Sequence, residues 1–197
     1  SRGLGDVYKR QVLVIAAYPK AYAPATAVWV DDDWTGLTYG DVLYVDNLIL
    51  VYGVNATSSV SEAVGLVSEG GTIHVYPGFY DEGSLILSKP VTIEGITSSV
   101  TEEPSINATS ISIQADDVKL IGLNISESYC YIKAENADNL TIFKNVIRGE
   151  INATYLLRTD LDYVNISMNY LLSGGLHVGF ANSTVADVYI VHNVMDN

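Results

Sequence analysis

Four segments, ADDVKLIGLNI, ADNLTIFKNVI, LDYVNISMNYL and VADVYIVHNVM, share one pattern of apolar and polar positions. Aligned, they put Val118, Leu140, Val164 and Val188 in one column, at intervals of 22, 24 and 24 residues, and Leu120, Ile142, Ile166 and Ile190 in a second. Both columns are wholly aliphatic. The position between them, filled by Lys119, Thr141, Asn165 and Tyr189, varies and is mostly polar. This is the period-2 alternation of a strand with one face buried and the other in water. A third column holds Asn145, Asn169 and Asn193, with Leu123 ahead of them. Asn suits a turn there, because its amide satisfies backbone groups and it tolerates the left-handed conformation.

A repeat of 22 to 24 residues, with short strands and no helix, is too short for a propeller blade and lacks the helices of helical repeats. It predicts an all-β parallel solenoid in which each repeat is one coil and equivalent residues stack about 4.8 Å apart. Upstream, Ser59-Val-Ser-Glu62 has the form of a capping box. Val60, Ala63, Val64 and Val67 then make one apolar stripe, so a short helix is predicted from Val60 to about Glu69, ended by Gly70-Gly71. Its expected role is to cap the first coil, which would otherwise expose apolar core and open strand edges. Strand-like runs follow at Thr72–Tyr76, Ser84–Ser88 and Val91–Glu94, separated by Pro, Gly and Asp.

Three pieces together resemble the right-handed parallel β-helix proteins of the pectin-lyase-like superfamily. VWVDDDWTG is similar to the motif that opens many secreted members. SVSEAVGLVSEGGTIHVYPGFYDEGSLILSKPVTIEG is similar to the family's N-terminal segment, with a capping helix, Gly-Gly-Thr-Ile, and a turn built on Pro77, Gly78, Tyr80 and Glu82. NLTIFKN is similar to its coils. The resemblance implies the fold far more than the chemistry, because the superfamily includes polysaccharide lyases, glycoside hydrolases, epimerases, adhesins and plain scaffolds.

The start of the chain reads differently. Ser1–Gln11 (SRGLGDVYKRQ) resembles the in-frame translation of a sequencing-library adapter and is set aside like a tag. Residues 12–27 read as the remainder of an export signal, with a core strand as the alternative: Val12–Ala17 is apolar and Ala25-Thr26-Ala27 offers the A-x-A pattern, with cleavage expected after Ala27. Residues 28–58 are then a lead-in, and 59–197 the β-helix, expected to lack its last coils. The expected location is extracellular or at the cell surface.

Charge narrows the partners. The net charge is −13, and −15 without residues 1–11, which argues against nucleic acid, whose phosphates need Lys and Arg. Cys130 is the single cysteine, so neither an intrachain disulfide nor a cysteine zinc site can form. No run approaches the roughly 20 apolar residues of a membrane span.

Candidate chemistry is sparse. Asp116, Asp138 and Asp162 share a column and would stand one strand spacing apart, as Ca²⁺ ligands or paired acids would. Each also precedes a strand, where Asp forms a turn with its own backbone, and this is the expectation; no cofactor is expected beyond that Ca²⁺ option. Asp31-Asp32-Asp33 reads as a solvated acidic run, and His74, His177 and His192 show no metal-ligand spacing. Arg148 and Arg158 stand in no lyase-like Arg-x-Pro-x-x-Arg pattern, and the polygalacturonase-like Asn-Thr-Asp, Gly-His-Gly and Arg-Ile-Lys signatures are absent. Tyr131 and Tyr155, 24 apart, are expected to stack, either as a platform for sugar rings or for stability alone. Asn55, Asn107, Asn124, Asn139, Asn152, Asn165 and Asn182 begin N-x-[S/T] sequons, acceptors for glycosylation in an exported protein, although the Asn, Ser and Thr enrichment of solenoid turns explains much of their number.

The sequence thus points to a secreted or surface β-helix module that binds carbohydrate or serves as a structural, adhesin-like element, with a polysaccharide or cell-surface glycan as partner. The alternative is a polysaccharide lyase or glycoside hydrolase whose active site lies partly in further coils.

Overall fold

In a computed structural model, residues 22–96, 104–135, 137–155, 161–172, 175–180 and 185–196 are described. They begin with β1 (Ala25–Val30), the hairpin β2 (Val42–Val45) and β3 (Leu48–Val51), the short β4 (Ala56–Thr57) and the helix α1 (Val60–Leu66). Then come β5 (Val67–Val75), β6 (Phe79–Leu87), β7 (Val91–Gly95), β8 (Ser105–Ile113), β9 (Val118–Ile121), β10 (Asn124–Glu135), β11 (Leu140–Phe143) and β12 (Val146–Tyr155). The last are β13 (Leu161–Ser167), β14 (Tyr170–Leu172), β15 (Leu176–Phe180), β16 (Val185–Val191) and β17 (Val194–Asp196).

Successive strands alternate between two parallel sheets, which makes the chain a parallel β-helix. The first sheet runs β16-β13-β11-β9-β7-β5-β1-β4, and the second β17-β14-β12-β10-β8-β6, with β15 also pairing β12. Register confirms the aliphatic columns: Ile142 pairs with Leu120 and with Ile166, and Ile166 with Ile190. The same column runs upstream through Ile93 to Ile73. From Leu120 onward the coils keep the expected 22 to 24 residues, whereas the step from Ile73 to Ile93 is 20 and that from Ile93 to Leu120 is 27. Ile73, Ile93, Leu120, Ile142 and Ile166 are all buried in one continuous core. Ile190 is 43% exposed, because β16 is the outermost strand of its sheet.

Asn145 and Asn169 are buried to 1% exposure, and their amides knit coil to coil. Asn145 Nδ2 donates to the carbonyl of Leu120, and Asn145 Oδ1 accepts the N–H of Leu123. Asn169 Nδ2 donates to the carbonyl of Ile142, and Asn193 Nδ2 to that of Ile166. Lys144, Met168 and His192, each just before a ladder Asn, take positive φ (54°, 56° and 55°), so the left-handed residue of the turn is the one before the Asn.

The helix is shorter than its apolar stripe predicts. It stops at Leu66 because Val67 leaves in extended conformation and pairs with Ala25 as the first residue of β5. Gly70 (φ +72°) and Gly71 therefore lie within β5 and do not end the helix. Ser59 caps as expected, its Oγ accepting the N–H of Glu62 at 3.3 Å. Glu62 does not complete the box; its carboxylate accepts from Thr57 Oγ1. Glu82, from the next coil, takes over the helix start: it accepts the N–H of Val60 at 2.5 Å, the N–H of Ser61 at 3.0 Å and the hydroxyl of Ser59 at 3.1 Å.

The segment 28–58 is more than a lead-in. β1 is a full member of the first sheet, and because it begins at Ala25, the tripeptide Ala25-Thr26-Ala27 lies in it, with Ala27 paired to Thr72. The β2–β3 hairpin turns through Asp46 (φ +52°) and Asn47. It closes a second small core of Trp34, Leu43, Val45, Leu50 and Ala56. This cap is tied to the first coil where Asp32 Oδ2 accepts the N–H of Phe79 at 2.9 Å. Gly78 permits that approach, since a Cβ there would strike the Asp32 carboxylate. Tyr80 is buried beside it and donates to the carbonyl of Tyr76 at 2.7 Å; burial first, and then Asp31 and Asp32, hold its phenol far above the usual range.

Candidate ligand-binding face

The outer face of the second sheet is set by alternation. In β10, Cys130, Ile132 and Ala134 point into the core, so Tyr131, Lys133 and Glu135 point outward; in β12, Ile147 and Ile151 point inward, and Glu150 and Asn152 outward. Register lays these out in rows across the coils. One row runs Ser84, Ser110, Tyr131, Glu150, and the next Ile86, Ser112, Lys133, Asn152, His177.

Tyr131 stands directly after a break in register. The stretch from Ile125 to Cys130 in β10 faces only Ile147 to Gly149 in β12, so β10 bulges just ahead of the tyrosine. Bulges bend the strand and re-aim the next side chain. Gly149 (φ +143°) completes the device: a Cβ there would collide with the Cys130 backbone, so only glycine lets the two strands close beside Tyr131. Beneath it, burial pushes the Cys130 thiol up to about 12, which keeps it neutral.

Asn152 Nδ2 donates to Tyr131 Oη at 2.9 Å. A phenol that accepts still has its own proton to give, so the half-buried, outward-facing Tyr131 keeps a hydroxyl donor. Lys133 Nζ lies 2.6 Å from Glu135, and hydrogen bonding to that carboxylate, with its charge, raises the ammonium's pKa. Glu150 lies 4.0 Å from the imidazole of His177. Among the described residues, this surface thus sets the Tyr131 ring beside hydroxyl, amide, carboxylate and ammonium groups.

The other sequence candidates fall elsewhere. Tyr155 pairs with Phe180, and Tyr131 with Glu150, so the two tyrosines do not stack; the bulge in β10 breaks the 24-residue spacing in this sheet. The side chains of Tyr155 and Asp162 lie outside the described residues, as do Arg158 and Asn182. Asp116 Oδ1 accepts the N–H of Asp138, and Asp138 Oδ1 those of Asn139 and Tyr163, so both carboxylates engage backbone. Asp31, Asp32 and Asp33 bring oxygens within 4.8 Å of one another. Two of these carboxylates already serve the fold, Asp31 accepting the N–H of Asp33 and Asp32 that of Phe79.

Of the sequon residues, Asn55 Oδ1 accepts the N–H of Val51, Asn107 Nδ2 donates to Asp81, Asn139 Nδ2 to Asp117, and Asn165 Oδ1 accepts from Ser167. Asn124 begins β10, with its Oδ1 buried.

Sequence reasoning missed Asn152, Lys133 and Glu150 as neighbours of Tyr131, although the alternation in CYIKAE and GEINA marks all of them as outward. It also missed a row on the first sheet. There Trp29, His74 and Glu94 are register partners, with the Trp29 and His74 rings 5.0 Å apart and His74 Nδ1 2.9 Å from Glu94. Among the described residues no helix is long and apolar enough to cross a membrane. No protein-family model, curated protein or solved structure matches the chain.

Proposed function

We propose that the chain is an exported or surface-displayed β-helix module of the pectin-lyase-like type that binds neutral carbohydrate on the outer face of its second sheet, around Tyr131. The observation that carries this reading is Tyr131 itself, aimed outward by a bulge, fixed at its oxygen by Asn152, and flanked one rung away by Ser110 and Glu150. Aromatic faces give apolar area to the C–H side of a sugar ring. Outward polar groups repeating at about 4.8 Å give hydrogen-bond partners in a row, as a polymer of hydroxylated rings requires.

Binding is favoured over catalysis because Asp116 and Asp138 spend their carboxylates on backbone N–H groups. A neutral glycan is favoured over a polyuronate because the chain carries −13, which repels a polyanion. Export rests on the signal-like residues 12–27. A glycan array carrying neutral and uronic oligosaccharides side by side tests the reading: neutral chains should be retained, and retention of uronates alone would reject it.

A further inference from the structure

Two rows of outward side chains cross the second sheet side by side from β6 to β12, one beginning at Ser84 and the other at Ile86. Each step along a row passes from one coil to the next, about 4.8 Å away, so the rows run along the axis of the solenoid. Their large apolar side chains are Ile86 on β6 and Tyr131 on β10. Ile86 is 57% exposed, set between the buried Leu85 and Leu87. Alternation alone turns it outward, and the core gains nothing from an apolar residue there.

The strands between and beyond these two carry polar groups. On β8, Ser110 Oγ shares a hydrogen bond with Ser84 Oγ, and Ser112 Oγ accepts from Gln114 Nε2 at 3.1 Å. On β12, Glu150 follows Tyr131 in register. Lys133, beside Tyr131 on β10, is held by Glu135. From β6 to β12 the face therefore alternates apolar, polar, apolar, polar, with a period of two coils, about 9.6 Å.

We infer that the ligand of this face is a straight, β-linked neutral glycan of the cellulose or mannan kind, lying along the solenoid axis with one ring over each of four coils. The inference rests on the Tyr131 reading above and adds to it the linkage, the direction and the length. In such a chain each ring is turned over relative to the last, so the same C–H face returns at every second ring. That is the period of the apolar side chains: one ring lies on Ile86 and the next but one on Tyr131. The ring between them meets the Ser110 and Ser112 hydroxyls, and the fourth meets the Glu150 carboxylate, which accepts from sugar hydroxyls. A chain with the α linkage of starch coils, and leaves a straight row after a few rings.

The test is titration calorimetry of the full 197-residue chain with cello- and manno-oligosaccharides of two, four and six rings, and with maltohexaose as the coiled counterpart. In at least one β-linked series, affinity should rise about tenfold or more from two rings to four and change little from four to six. Maltohexaose should bind no better than the two-ring sugar. Ile86→Ser should weaken the four-ring sugar about threefold or more, leave the two-ring sugar on Tyr131 unchanged, and leave Tm unchanged because the side chain is exposed. Tyr131→Ala should weaken both. Equal affinity for two and four rings, maltohexaose bound as tightly as the β-linked hexamers, or full four-ring affinity in Ile86→Ser would each overturn this inference and leave the Tyr131 reading in place. Absence of binding by every neutral oligosaccharide would overturn both.

Discussion

Asn145 points both its backbone N–H and its Nδ2 at one atom, the Oδ1 of Asn169 in the next coil, at 3.0 and 3.1 Å. Asn169 repeats the arrangement onto Asn193, also at 3.0 Å for both donors. A side-chain amide thus substitutes for the turn hydrogen bonds that a strand ladder cannot supply, and replacing one leaves orphans on both neighbouring coils. Asn169→Leu strands the Asn145 N–H and the Ile142 carbonyl in the core. At about 1–3 kcal/mol per orphaned group it should cost about 2–6 kcal/mol in urea unfolding. Asn193→Leu, on the more exposed last rung, should cost less because water replaces the amide; equal costs would contradict the ladder's assigned role.

Glu82 joins the first coil to the capping helix through three donors. Removing it in Glu82→Ala should lower stability by about 1–2 kcal/mol, the usual range for losing a cap and the anion at a helix start. Glu82→Gln, which keeps an acceptor, should fall between that variant and the parent. Thermal melts at low salt would show the order, and an unchanged Tm in Glu82→Ala would refute the clamp.

Cys130 titrates far above a free thiol because it is buried, its pKa pushed up to about 12. The unfolded chain loses this proton near pH 8.5. The contribution to stability is therefore complete below about pH 8.5 and is lost progressively as pH rises toward about 12. Native protein at pH 8 should accordingly resist a disulfide-exchange reagent and react stoichiometrically once unfolded in urea. Rapid labelling of the folded chain would show that the thiol is not buried.

Inward and outward positions can be separated by charge. Leu140 and Ile166 have no exposed surface, whereas Thr141 between them in the pattern is on the outer face. Leu140→Asp and Ile166→Asp should unfold the domain, and Thr141→Asp should cost little. Circular dichroism melts decide this; equal tolerance of all three would reject the alternation.

The aliphatic and Asn columns were legible because each coil contributes a residue at a nearly fixed interval, so the register of the first sheet is written as a repeat. The second sheet was not, because its strands vary in length: nothing in Ser126-Glu-Ser-Tyr129 marks a bulge, and the 24-residue spacing of Tyr131 and Tyr155 pointed to a stack that register forbids. The helix start was legible in Ser59, but its true anion, Glu82, lies 22 residues from Val60 and belongs to a contact that only the closed coil creates. The same holds for Asn152 beside Tyr131, which are 21 residues apart. Local capping is visible in a sequence; contacts between coils with insertions are not.

The most direct measurement of the central claim is a calorimetric titration of the full chain and of Tyr131→Ala with the neutral oligosaccharide that the array identifies. The account predicts saturable binding by the parent chain and a loss of about tenfold or more in Tyr131→Ala, with Tm unchanged because the side chain faces out of the core. Equal affinity of the two proteins would contradict it.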